Sequence, residues 1–405
     1  MQRSRRRPAA RLARIALALF AAAGLVLAAA SGCALRHTWV APGALSVTPA
    51  PVDSVDCTLL FVGDAGKPEL AAPEPVLEAL CAEASRAPAR TLVVFLGDNV
   101  YPDGLPAAGA ADRPRAEAVL RRQADVVRRS GARGLFVPGN HDYHLDGREG
   151  VQRQAAYIAS LGVPGLEYRP AGDCPGPESF DLGRRLRLVV FDSTWWIQDE
   201  FATPAAPDCK SGTEASFVAA LDSVLADAGE RTVVVATHYP VASHGWHGGF
   251  FTWQDHLFPL TRAVSWLWLP LPGLGSLYPL YRQSGGVRQD LSNSHYQHML
   301  AQLEQAFVKR PPLAFAAGHD HNLQVLTGQR GVRYALVSGA GSIARPDPVS
   351  YGDDTICASP HPGFMRLDLL HDGRARLEVV EVGEGGSVSR PWSGWLGAQA
   401  PAKVP

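Results

Sequence analysis

The chain has 405 residues, 46% of them hydrophobic, which suffices for one catalytic domain with insertions and a large core. Its formal net charge is -1, but six arginines fall within the first fourteen residues, leaving the remainder at about -7. That balance excludes a general nucleic-acid-binding surface, and no nucleic acid is expected as a structural partner.

Residues 1–33 read as an export signal, with a basic region over 3–14 and an apolar region over 15–30. The string from Leu27 to Cys33, Leu-Ala-Ala-Ala-Ser-Gly-Cys, resembles the bacterial lipoprotein cleavage site, where the cysteine is lipidated and becomes the new N-terminus. An ordinary secretory signal and an uncleaved anchor helix are the alternatives. Each places the rest of the chain outside the cytoplasm. Ala34 follows the cysteine, which favours a lipid anchor at the bacterial outer membrane, periplasmic or surface-facing. Residues 34–55 are turn-rich and read as a tether.

Strand-like apolar runs then recur at 57–62, 91–96, 134–137, 186–191, 232–236, 313–316 and 334–337. Helical patterns lie between several of them, at 75–87, 114–130, 151–161, 213–228 and 294–309. Short apolar strands without a clean polar face predict an α/β fold whose buried sheets are flanked by helices. A hairpin is expected over 363–370 and 374–381, closing a catalytic domain at 56–385, with 386–405 as a tail.

The segment 244–293 interrupts this alternation. It is rich in Trp, Phe, Tyr and Leu, and is broken by Pro270, Pro272, Gly273 and Gly275 too often for a spanning helix. It reads as an insertion packed on its own core, as a lid or wall of a site, or as a membrane contact. Five cysteines follow Cys33, an odd number without zinc-site spacing. Export permits disulfides, and Cys174 with Cys209 is one pairing open to them.

The chemistry concentrates where strands end. Gly63-Asp64, Gly97-Asp98-Asn99-Val100-Tyr101, Gly139-Asn140-His141-Asp142, Thr237-His238-Tyr239-Pro240 and Gly318-His319-Asp320-His321-Asn322 each follow an apolar run. Ligands commonly lie beyond strand C-termini in open α/β sheets. Singly, Asp64, Asp98 and Asn140 would be turn residues, and His238 or His319 a satisfied loop histidine. Together these groups can hold two adjacent metal ions, since a carboxylate has two oxygens and can bridge cations roughly 3.5–4 Å apart.

In order and type, these strings resemble the calcineurin-like metallophosphoesterases, and within them the short, tartrate-resistant purple acid phosphatases. The resemblance spans about residues 59–342. Asp64-Ala65-Gly66 lacks the histidine of the wider superfamily's Asp-x-His. A tyrosine three residues past Asp98, here Tyr101, is the purple acid phosphatase feature. The resemblance implies two packed mixed β-sheets flanked by helices, a four-layer αββα fold. It implies a first metal held by Asp64, Asp98, Tyr101 and His321, and a second held by Asp98, Asn140, His238 and His319. A phenolate is a hard donor of high intrinsic pKa, which favours Fe3+ at the Tyr101 site. The uncharged Asn140 and imidazoles suit Fe2+, Zn2+ or Mn2+ at the second.

By the same resemblance His141 assists at the substrate and Asp142 orients a neighbour. A further active-site histidine falls on His247, or on His244 in the same His-Gly dipeptide. His247 is preferred. Ala65 stands where close relatives carry a bulky aromatic, which leaves substrate size open. The expected activity is hydrolysis of small phosphate monoesters by metal-bound hydroxide, as in acid phosphatases. A phosphodiesterase acting on nucleotides or lipid head groups is the alternative enzyme, and a catalytically silent envelope binding protein the alternative of another class. Oligomeric state is not legible.

Overall fold

The computed structural model describes residues 33–397 except 45, 263 and 343–346, together with Ala18, Ala21, Ala22, Gly24 and Val26. Most of the leader, and residues 398–405 of the expected tail, lie outside the described residues. Its strands are β1 (Trp39–Val40), β2 (Val55–Val62), β3 (Thr91–Phe95), β4 (Arg133–Phe136), β5 (Leu166–Tyr168), β6 (Glu178–Leu182), β7 (Leu186–Val190) and β8 (Thr232–Ala236). They continue with β9 (Ala314–Ala317), β10 (Leu323–Thr327), β11 (Tyr334–Ser338), β12 (Thr355–Ser359), β13 (Gly363–Leu370), β14 (Ala375–Val382) and β15 (Val388–Leu396).

Two mixed sheets result. One runs β1-β12-β10-β11-β9-β8-β7-β6 and the other β15-β14-β13-β2-β3-β4-β5. Each has a parallel heart, β7-β8-β9-β11 in the first and β2-β3-β4-β5 in the second, with antiparallel strands outside it.

Side-chain alternation explains the stacking. In β2, Leu59 and Phe61 point between the sheets, against Leu188, Val190, Val234 and Leu336. Leu60 and Val62 point the other way, under Leu77, Leu80, Val119 and Leu120 of the helices Pro75–Ala84 and Arg113–Ser130. The first sheet turns Val189, Val235 and Phe315 toward the helices Glu214–Ala226 and Ser294–Phe307. Strands apolar on both faces are thus what a four-layer αββα arrangement requires. Proline at the first turn opens two of these helices, at Pro75 and Pro114.

The ends of the domain differ from the reading by composition. The tail begins as β15, which pairs antiparallel with β14. Pro391 obscured it, yet the strand lies at the sheet edge, where a missing N–H costs no ladder bond. The tether likewise contributes β1, paired with β12.

Cys174 and Cys209 form a disulfide across a separation of 35 residues, while Cys57, Cys81 and Cys357 are buried thiols and Cys33 is exposed. Closing that loop limits the unfolded chain and is worth about 3–4 kcal/mol on an entropic model. Cys174→Ser should therefore lower unfolding free energy by about that amount in urea titrations. A loss below about 1 kcal/mol would show that the cross-link is not limiting.

Candidate metal centre

Each polar group leaves the end of a parallel strand. Asp64, Asp98 and Asn140 follow β2, β3 and β4 of one sheet. His238 follows β8, and His319 and His321 follow β9, of the other. Asp64, Asp98 and His319 have φ of 59°, 53° and 73°, the left-handed region that costs a side-chain-bearing residue about 1–3 kcal/mol. The glycines beside them permit close approach. A Cβ on Gly97 would come 2.6 Å from His238 Nδ1, and one on Gly139 would come 2.2 Å from the Asp98 nitrogen.

The first cluster gathers on Tyr101. Its hydroxyl lies 2.9 Å from Asp64 Oδ1, 2.8 Å from Asp98 Oδ2 and 3.1 Å from His321 Nε2. His321 Nε2 is 3.4 Å from Asp64 Oδ1. All four side chains are buried. One phenol proton cannot serve two carboxylates at once, so the cluster is short of positive charge. Asp64, Asp98 and His321 form a group able to hold a metal ion, their ligand atoms all within 4.8 Å of one another.

The second cluster gathers on Asn140 Oδ1, 2.9 Å from His238 Nε2 and 3.1 Å from His319 Nδ1. Backbone carbonyls fix both tautomers. His238 Nδ1 donates to Leu96 (2.8 Å), and His319 Nε2 donates to Gln289 (2.9 Å). Burial would lower His238, but the charges of Asp98 and Asp64 raise it, so a cation must displace a proton there; with both rings neutral, the other nitrogens carry lone pairs that point at an amide oxygen. Asp98 Oδ1, 3.4 Å from His238 Nε2, adds a further acceptor. Acceptors converging on acceptors call for a cation, and the donor set fits one.

Charge follows this crowding. Burial pushes the Asp98 carboxyl up, but His238 and His141 and the hydrogen bonds from the His141 backbone and Tyr101 hold it down at about 2. Burial, with the charges of His247 and His238, keeps His319 well below the ordinary imidazole value, neutral and ready to coordinate. Burial would lower His321 too. The hydrogen bonds the ring donates to Asp347 and Asp64 outweigh this and raise His321 to about 10, so a cation must displace a proton there.

Of the remaining expected residues, His141 and His247 face a cavity of about 280 Å³ above the two clusters. His141 Nδ1 meets the Pro102 carbonyl, which can only accept, so this nitrogen carries the hydrogen. His141 Nε2 lies 3.9 Å from Asp98 Oδ2. The His247 ring lies 3.9 Å from that of His319. His244 turns away, its Nε2 2.6 Å from Asp354 Oδ1.

Asp142, grouped with the catalytic residues by resemblance, sits behind the cavity. Its carboxylate accepts from the Gly139 nitrogen (2.8 Å), the Asn99 nitrogen (3.1 Å) and Gln154 Nε2 (3.1 Å), bracing the two loops that carry Asp98 and Asn140. Burial and the charge of Asp98 raise it to about 7.

Sequence reasoning missed three partners. Asp347 Oδ2 lies 2.7 Å from His321 Nδ1 and fixes that ring. Asp290 Oδ1 lies 2.9 Å from His247 Nδ1. Arg282 Nε donates to Asp290 Oδ2 at 2.7 Å while its guanidinium lies 4.0 Å from the Trp246 ring centroid. Such partners orient ligand imidazoles. No local motif marked them. The insertion was flagged only for its aromatic content, and through Trp246, Tyr278, Arg282, Val287 and Gln289 it walls the cavity.

Residues 57–264, just over half of the chain, match the family described as calcineurin-like phosphoesterase. The chain belongs to that family. Three solved structures share the calcineurin-like phosphoesterase fold at a TM-score of 0.50. GAP50, described as the anchor in the inner membrane complex of Plasmodium, is 14% identical over 84% of this chain and 88% of its own. The purple acid phosphatase PPD1 from yellow lupin (Lupinus luteus) seeds is 14% identical over 85% of this chain and 55% of its own. PhoD is 11% identical over 87% and 70%. At these identities the likeness speaks for the fold alone. No curated protein matches the chain in sequence. Family membership and the buried triad support a metal-dependent hydrolase that acts on a small phosphate-containing substrate.

Proposed function

We propose that this calcineurin-like phosphoesterase is a two-metal phosphatase for phosphate monoesters, chemically closest to the purple acid phosphatases. The observation that carries the reading is the Tyr101 hydroxyl, within hydrogen-bonding distance of Asp64, Asp98 and His321 at once. Asp64, Asp98, Tyr101 and His321 would hold Fe3+, because a phenolate needs a strongly polarising cation. Asp98, Asn140, His238 and His319 would hold Fe2+, Zn2+ or Mn2+. When bound, the cations supply charge neutralisation at phosphoryl oxygens and acidify water for attack on phosphorus.

The chain's own residues do the rest. Asp98 faces both clusters, one oxygen toward each. His141, held by the Pro102 carbonyl through Nδ1, presents Nε2 to stabilise the transition state or protonate the leaving oxygen. His247, held by Asp290, completes the cavity wall opposite. Asp142 acts as a positioning residue. The catalytic unit comprises about residues 56–397, exported and lipid-anchored through Cys33. The Cys174–Cys209 disulfide suits an oxidising compartment.

The test combines metal content, visible absorption and ester turnover. About one iron per chain, with a broad tyrosinate-to-iron band lost in Tyr101→Phe and turnover of a monoester, is expected. Two divalent metals, no such band and a preference for a diester would sink the purple-type assignment.

A further inference from the structure

We propose that the exposed face of residues 264–281 rests on a lipid bilayer and admits membrane-borne phosphate esters to the cavity over the metal centre. The inference rests on the phosphatase reading for its chemistry, but on separate observations for its surface. Within this stretch Trp266 is 77% exposed, Trp268 57% and Tyr281 54%, and Leu269, Leu274 and Leu277 are exposed as well. Scattered exposed apolar side chains are ordinary. A run of them this dense marks an interaction surface.

Three features make a bilayer the occupant. From Leu257 to Gln289 the sequence contains no Asp or Glu, while it contains Arg262, Arg282 and Arg288. Tryptophan and tyrosine among leucines is the composition that settles at the lipid headgroup level, and the three arginines are each paired with a carboxylate outside the stretch, Asp255, Asp290 and Asp199, so no net charge opposes contact with a bilayer. Moreover, the proposed anchor lies on the cavity side: Cys33 stands two residues before Leu35, whose nitrogen donates to the Val349 carbonyl (3.0 Å), and Val349 follows Asp347 of the cavity wall by two residues.

The surface is also continuous with the site. Tyr278, 46% exposed, belongs to the helix Leu277–Gln283 and lines the cavity together with Arg282 of the same helix. Leu277 and Tyr281 are exposed on that helix. An ester whose tail stays in the bilayer would reach His141 and the two ligand clusters across Tyr278. Arg282, bound to Asp290 and stacked over Trp246, keeps that wall in place.

The full-length chain is reconstituted into phosphatidylcholine vesicles that carry phosphatidic acid as the lipid-borne monoester. p-Nitrophenyl phosphate serves as the soluble one. In the wild type, lipids brominated along the acyl chain should quench a tryptophan component that Trp266→Ser/Trp268→Ser lacks. That double variant should lose roughly tenfold in kcat/KM on phosphatidic acid and keep its turnover of p-nitrophenyl phosphate. Neither tryptophan lines the cavity. An unquenched Trp266/Trp268 component overturns the bilayer contact. So does a dimer in detergent that the double variant converts to monomer, since it gives the face to a second copy. Quenching with turnover of the soluble ester alone overturns the lipid substrate. Quenching with turnover of neither ester upholds the surface and places the failure in the phosphatase reading.

Discussion

Asp98→Asn is expected to strip the centre of both cations and to lower kcat/KM on a phosphate monoester by about three orders of magnitude or more. Asp98 is the side chain that both ligand clusters share. Its Oδ2 meets the Tyr101 hydroxyl, and its Oδ1 accepts from the His141 backbone at 2.8 Å while facing His238. With its carboxyl held down at about 2, it is charged throughout any working pH range. An amide keeps one acceptor oxygen, loses the charge and can bridge nothing. Metal content should fall to well under one equivalent, while far-ultraviolet circular dichroism stays that of the wild type. A variant that keeps two equivalents and is within tenfold in activity would falsify the shared-ligand role.

His141→Asn should leave the metals in place and reduce kcat by roughly 100- to 1000-fold, within the range of a general acid or a lost charge-stabilising donor. The imidazole borders the cavity with Nε2 3.9 Å from Asp98 Oδ2, while the backbone nitrogen donates to Asp98 at 2.8 Å, a contact that His141→Asn keeps, so removing the ring should not release cations. A leaving-group series separates its two possible tasks. Proton donation predicts a loss that steepens as the leaving alcohol becomes more basic. Pure charge stabilisation predicts an even loss across the series. Loss of metal in this variant, or a kcat within threefold of wild type, would remove His141 from the chemistry.

Seven of the eight parallel-heart strands, β2, β3, β4, β7, β8, β9 and β11, were legible because they are apolar runs buried on both faces and soon followed by polar or glycine punctuation, whereas β5, three residues long, was not. Burial from both sides removes the alternation that surface strands show, and leaves length and punctuation as the signal. The same punctuation exposed the polar groups that the fold gathers, from Asp64 to His321. β15 was hidden by Pro391, and β1 by being two residues long. Asp347, Asp290 and Arg282 were hidden for a different reason. Their partners, His321 and His247, lie 26, 43 and 35 residues away along the chain, and only tertiary packing joins them. The strain at His319 had no sequence mark either, since positive φ is uncommon for any residue but glycine and histidine is more often found outside it.

Both sheets contribute to each cluster, three groups against one in the first and two against two in the second. Asp64, Asp98, Tyr101 and Asn140 hang from one layer, His238, His319 and His321 from the other. Cations seated among them would act as rivets across the sandwich. Small slippage of one layer over the other would break every rivet while leaving each sheet's own ladder intact. Catalysis in such a molecule reports on the alignment of its layers, and would fade under a shear too slight to register as loss of secondary structure.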